Sequence, residues 1–201
     1  MGADWQRFGE RSEYESSSRT HAAALKSKAP WNHGDLGGDD LFWQDHFVSI
    51  GQVWEDFDGG EWAHLQKHLG GLPPQVNLKH EMRLGKLMSD ARDQIAAAHD
   101  LSDGGLAVAI SEMALAAKVG ATVNIPEDYF VHLFSETPGR ILIAIESEKV
   151  DEFIGRAIDL EITTTRIGKT GGDQLIFENL FSISIAEMHK VNSETLPRLF
   201  G

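Results

Sequence analysis

The chain has 201 residues, room for one ordinary domain or one domain plus an appendage. Its 41% hydrophobic and 24% charged residues, with a mean hydropathy of -0.26, describe a globular chain able to build a core and exclude disorder throughout. Eighteen Lys+Arg against 31 Asp+Glu leave a formal charge of -13, a field that repels a polyphosphate backbone and argues against nucleic acid as a partner. No cysteine is present, which rules out disulfides, Cys-ligated zinc, iron–sulfur clusters and a thiol nucleophile. The polar start and the shortness of every apolar run predict no signal peptide and no membrane span, so the default location is the cytoplasm.

All five tryptophans (Trp5, Trp31, Trp43, Trp54, Trp62) fall in the first part of the chain. Residues 1–45 lack a helical or alternating period and are punctuated by Ser16-Ser17-Ser18, Pro30 and the stretch from Gly34 to Asp40, which predicts an irregular N-terminal segment ahead of a domain over 46–201. Pro73-Pro74 is a stiff extended entry, after which Leu84, Leu87, Met88, Ala91, Ile95 and Ala98 recur at the spacing of one amphipathic helix. A polar turn, His99 to Gly105, leads into a second helical stripe of Leu106, Ile110, Met113 and Ala117, stopped by Gly120.

Ala121, Val123 and Ile125 alternate with polar residues as a half-buried strand does, and Ile141-Leu142-Ile143-Ala144-Ile145 suits a strand buried on both faces. Val150, Phe153, Ile154, Ala157 and Ile158 mark a further helix, and Glu161 to Ile167 is β-branched. Gly168-Lys169-Thr170-Gly171-Gly172 lacks the glycine spacing of a phosphate loop and reads as a hairpin turn into Gln174 to Phe177. An alternating strand from Phe181 to Ile185 then feeds a short helix with Met188 and Val191 as its buried face. The expected architecture is α+β, a mixed sheet covered by helices.

The turn at His99 to Gly105 offers an imidazole, two carboxylates, a hydroxyl and two glycines where a helix begins. Free amides and the positive end of the helix dipole suit a phosphate there, and Asp100 or Asp103 has the hard oxygens that magnesium takes. The plainer alternative is that Ser102 or Asp103 caps the helix and the glycines permit a tight turn. His64 and His68 have a spacing that zinc can use, but no acid follows in a metalloprotease pattern, so exposed helix histidines are the better reading.

The stretch Ala98-His99-Asp100-Leu101-Ser102-Asp103-Gly104-Gly105-Leu106-Ala107-Val108-Ala109, with Glu112-Met113-Ala114, resembles the second-repeat signature of phosphoribosylformylglycinamidine synthase. Leu133-Phe134-Ser135-Glu136-Thr137-Pro138-Gly139-Arg140 is similar to that family's Ser-Glu loop before a buried strand. The stretches Glu55 to Trp62 and Leu69 to Pro74, and the ending Leu196 to Gly201, also resemble it, so coverage runs from about residue 47 to 201.

The resemblance implies the C-terminal, aminoimidazole ribonucleotide synthase-like domain of the second repeat. The family converts formylglycinamide ribonucleotide, ATP and glutamine-derived ammonia to formylglycinamidine ribonucleotide in purine synthesis, with ATP phosphorylating an amide oxygen and ammonia displacing the phosphate. It implies Asp100 as a metal residue and Ser135 and Glu136 as substrate contacts, in a repeat associated with an auxiliary nucleotide site; His99, Ser102, Gly104, Gly105 and Arg140 are further candidates for substrate or nucleotide binding, and no catalytic residue is assigned. Read from its own residue type, Arg140 could pair with Glu136 or with a phosphate, a surface ion pair being the plainer reading. The family carries two duplicated halves, each with an ATP-binding N-terminal domain, and those domains are missing from this length, so the chain is expected not to turn over alone. It would work with the missing synthetase domains or a separate N-terminal subunit, on a small ribonucleotide, with ATP and magnesium in the complete enzyme. The alternatives are a non-catalytic module that binds a phosphometabolite or a partner subunit, and a non-functional remnant.

Overall fold

The computed structural model describes residues 45–200; the irregular segment expected ahead of the domain lies, but for its last residue, outside the described residues. In chain order the elements are β1 (His46–Ile50), α1 (Glu61–Leu65), α2 (Leu78–Asp90), β2 (Ile95–Asp100), α3 (Gly105–Ala117), β3 (Ala121–Val123) and α4 (Tyr129–Phe134). They continue as β4 (Ile141–Ile145), α5 (Val150–Asp159), β5 (Thr164–Thr170), β6 (Gln174–Phe177), β7 (Phe181–Ser184) and α6 (Ile185–Phe200). The strands form one seven-stranded sheet in the order β2-β4-β1-β5-β3-β6-β7, antiparallel except for the parallel pair β3–β6. Helices cover both faces, which is the expected mixed α+β architecture.

Strand β4 shows why. Its side chains alternate, Leu142 and Ala144 joining the core under α3, α4 and α6, and Ile143 and Ile145 joining a second core under α2 and α5. A period of two with apolar residues at every position can be satisfied only by burial on both sides. Around it, Leu106, Ile110 and Leu175 fill the first core and Leu87, Val150 and Phe153 the second, all fully buried.

Several expected elements differ. The helix expected to run through Ala98 ends at Asp90, and after a short 3-10 turn Ile95–Asp100 is a strand paired with β4, Ala98 opposite Ile143 and His99 opposite Leu142. The alanines there have high helix propensity, but pairing with the largely buried strand β4 outweighs a preference of only tenths of a kcal/mol per residue. Strands β5 and β6 are not a hairpin, because β3 lies between them and pairs with both. Gly168 belongs to β5, where a Cβ would collide with the backbone of Thr122 and Val123 in β3. Helix α3 closes at Lys118 in a left-handed conformation rather than at Gly120. Ile158 and Val191 are 66% and 62% exposed, so the buried faces of α5 and α6 are narrower than expected, and α6 is long rather than short. His64 lies in α1 but His68 lies beyond its end, so the two do not share a helical turn.

Candidate functional site

Strand β2 carries His99 and Asp100 to the edge of the sheet, where the chain turns sharply into α3. Leu101 anchors the turn from below: its side chain is buried and its N–H donates to the Arg140 carbonyl at 3.3 Å. Above it, Ser102 Oγ donates to Asp100 Oδ2 at 2.5 Å, while Ser102 and Asp103 remain exposed. Neither side chain caps α3. The N-cap is Gly104, left-handed at φ 85° and without a side-chain cap, which corrects the expected Ser102 or Asp103 cap.

Gly105 is also left-handed, at φ 65°, and a Cβ there would stand 2.7 Å from the Leu133 carbonyl oxygen and 2.8 Å from that of Ser135. Gly105 therefore lets the start of α3 press against the end of α4 and the loop that follows, while Gly104 leaves room for Val108 of the same helix. This brings the two sequence motifs together.

The acceptor at the start of α3 comes from that loop. Glu136 Oε1 accepts the Gly104 N–H at 3.0 Å and the Glu61 N–H at 2.7 Å, so a single carboxylate oxygen joins the beginnings of α3 and α1. Negative charge at a helix N-terminus is favourable in the same way that a phosphate would be. Ser135 Oγ donates to the Trp54 carbonyl at 2.5 Å, Thr137 Oγ1 accepts the Trp54 N–H at 3.1 Å, and the Glu136 N–H donates to the Asp56 carbonyl at 3.1 Å. Residues 135–137 thus strap the segment after β1 onto the domain. Trp62 packs beside this strap against Phe130 and Phe134, at ring-centroid separations of 4.8 and 5.6 Å.

Arg140 is 3% exposed, which corrects the surface ion pair. Its Nη1 donates to the Ser135 carbonyl at 2.8 Å and its Nη2 to the His132 carbonyl at 3.1 Å, placing the guanidinium at the C-terminal, negative end of α4. Burial pulls its pKa down to about 10, so it stays charged at neutral pH. The imidazole of His132 titrates below the usual value because burial and then the Arg140 charge disfavour its cation.

His99 is held between two acceptors. Its Nε2 stands 2.8 Å from Glu112 Oε2 on α3, and its Nδ1 stands 2.6 Å from the Asp100 carbonyl. Both contacts are hydrogen bonds only when the ring carries both protons.

Of the two carboxylates of the turn offered for magnesium, Asp100 has its Oδ2 engaged by Ser102 and Asp103 is exposed, and among the described residues no group of three or more His, Asp or Glu side chains converges on a point. An open cleft lined by Val53, Trp54, Glu55, Asp128, Val131 and His132 adjoins the strap. Its two carboxylates repel a phosphate.

Sequence reasoning located both loops but missed what connects them. Glu61, Trp54 and Thr137 contribute as backbone or hydroxyl partners, which leave no residue-type signal, and Glu112 meets His99 only because β2 and α3 fold side by side. Glu136 was singled out through the Ser-Glu loop, but its link to Glu61 and Gly104 was not.

Three comparisons bear on this arrangement. The family model described as AIR synthase related protein, C-terminal domain, matches residues 47–178. Among curated proteins, a phosphoribosylformylglycinamidine synthase subunit PurL of Nocardioides sp. is 42% identical over 153 residues, 76% of this chain and 20% of that protein. The PurL subunit of Rhodococcus erythropolis is 40% identical over 161 residues, 77% of this chain and 21% of its own length. The chain therefore spans about a fifth of the relatives it matches. Among solved structures, T. maritima PurL complexed with FGAR aligns with a TM-score of 0.62 at 16% identity, covering 72% of this chain and 27% of that one. T. maritima PurL complexed with ATP aligns at 0.57 and 16%, covering 73% and 26%. At that identity the structural likeness speaks to the fold.

Proposed function

The chain belongs to the AIR synthase related protein C-terminal domain family, and from that premise we propose that it serves as the C-terminal domain of a phosphoribosylformylglycinamidine synthase. In this reading it contributes to the ATP-dependent conversion of formylglycinamide ribonucleotide to formylglycinamidine ribonucleotide in purine biosynthesis, in the cytoplasm, and does not turn over alone. The observation that carries the proposal is identity of 40–42% to synthase subunits across three-quarters of the chain, with the aligned stretch amounting to about a fifth of those proteins.

The site geometry gives this domain a supporting part. The strap at Ser135–Thr137 and the glycine turn hold one wall in place, and His99, Asp100 and Ser102 present polar atoms from it toward whatever the rest of the synthase encloses. Gly104, Gly105, Glu136 and Arg140 act from behind, by fixing the helix ends on which that wall is built. The resident charge is negative, so the cations needed to hold phosphate groups come from the remainder of the enzyme.

The test is ADP release with formylglycinamide ribonucleotide, ATP, magnesium and ammonia. The chain alone should release none above background. Added to a Nocardioides-type PurL subunit from which the aligned stretch has been deleted, it should restore turnover. Product formation by the chain alone, or failure to restore any, would overturn the reading.

A further inference from the structure

Between Leu65 and Met82 the chain turns six large apolar side chains to solvent. Leu65, Leu69, Leu72, Val76, Leu78 and Met82 are 68%, 93%, 82%, 57%, 72% and 76% exposed. Single exposed leucines are ordinary, but six within one short run are what a covered surface looks like when its cover is absent.

The run is held rather than loose. Trp62 is packed into the aromatic cluster at one end, Asp58 Oδ2 accepts the Leu72 N–H at 3.1 Å in the middle, and Asn77 Oδ1 accepts the His80 N–H at 3.2 Å where α2 begins. Pro73-Pro74 stiffens the stretch between. A surface ordered before it binds loses less conformational entropy on binding.

Two further observations say what covers it. From His64 to Met82 the charged side chains are Lys67, Lys79 and Glu81, a net charge of +1 in a chain of formal charge -13, so the run lacks the acidic excess of the rest of the chain and the surface that complements it is chiefly apolar. The run also lies inside the stretch matched to the family, whose relatives are about five times as long as the part they share with this chain. The run therefore lies within the matched domain, and the matched proteins carry a large further polypeptide beside that domain.

We infer that residues 65–82 form the docking arm by which this domain seats against the part of a synthase outside the aligned stretch. This rests on the function proposed above. The test mixes the full chain with soluble Nocardioides PurL subunit lacking the aligned stretch, measuring stoichiometry by light scattering and affinity by calorimetry, with ADP release followed in parallel. A one-to-one complex is expected. The double variant Leu69→Asp/Leu72→Asp should weaken it by at least about 30-fold, whereas Leu69→Met/Leu72→Met should stay within about threefold. Val191→Asp, at an exposed apolar position of α6 outside the arm, should change nothing. A complex that restores turnover but ignores the aspartate pair overturns the arm and leaves the function standing; absence of both complex and turnover overturns the two together. Self-association of this chain, abolished by the aspartate pair without any complex with the PurL piece, overturns the arm in favour of a second copy.

Discussion

Replacing Glu136 separates its work as an internal anion from any contact with a ligand. In Glu136→Ala the Glu61 N–H, which is exposed, regains water, but the Gly104 N–H lies partly buried at the start of α3 and is left without its acceptor. An unmade hydrogen bond of that kind costs about 1–3 kcal/mol, and losing a negative charge beside a helix N-terminus adds about 0.3–1 kcal/mol. The sum is about 1.3–4 kcal/mol. For a domain of this size each kcal/mol moves the melting temperature by about 2–4 °C, so a fall of about 3–16 °C is expected. Glu136→Gln keeps a carbonyl oxygen able to accept both N–H groups and loses only the charge, so it should cost about 1 kcal/mol or less. Urea titrations and thermal melts of the three proteins, all on the full chain, measure both differences. If alanine costs no more than an ordinary surface substitution, within about 0.5 kcal/mol, then the carboxylate does not hold the two helix starts together and the strap has been misjudged.

Three other expectations come from neighbouring residues. Arg140→Met should destabilise by about 2–4 kcal/mol in urea titration, because a buried and a part-buried carbonyl at the end of α4 lose their donors; a surface ion pair would cost under about 1 kcal/mol. Gly105→Ala should cost about 2 kcal/mol or more in the same assay, since the added Cβ meets two carbonyl oxygens and the left-handed backbone disfavours it. His46 and His132 both titrate below 6.5, chiefly through burial, so between their folded values and 6.5 the unfolded chain binds more protons. Stability from these groups is complete above that pH and declines as pH falls below it, and melts recorded across that range should flatten when both histidines are replaced by glutamine.

How far the sequence announced this fold depended on whether a pattern was local. Strand β4 and helix α3 were legible because their burial follows the period of the element itself, two for Ile141–Ile145 and near 3.6 for Leu106, Ile110 and their neighbours. Strand β2 was not: Ala91, Ile95 and Ala98 continue the spacing of α2, and only the presence of β4 alongside decides that Ile95–Asp100 is extended. The place of β3 between β5 and β6 was equally invisible, since a Gly-Gly turn between two strand signals is the local mark of a hairpin, and the inserted strand comes from about 50 residues earlier by the pairing of Ala121 with Thr170 and Leu175. The same division holds at the site. Both motifs were found because their residues are contiguous, whereas the Glu136 contacts to Glu61 and Gly104 span 75 and 32 residues and depend on the finished fold.

The charges of the candidate residues point beyond this chain. Of the eight residues singled out in the turn and loop, only His99 and Arg140 can bear positive charge. Arg140 is buried against the end of α4, and His99 faces Glu112 and the Asp100 carbonyl. Each is therefore engaged with an acceptor inside the domain. The amide at the start of α3, the feature best suited to a phosphate, is met by Glu136. A ligand phosphate approaching this wall would have to displace a carboxylate from a helix start or be held by cations from elsewhere, and displacement would also release α1 from the strap. Supply from elsewhere leaves the strap intact. A wall of this kind, negatively charged and tied together by its own strap, fits the reading proposed above, in which this domain positions polar groups and the cations that would hold a phosphate come from outside the aligned stretch.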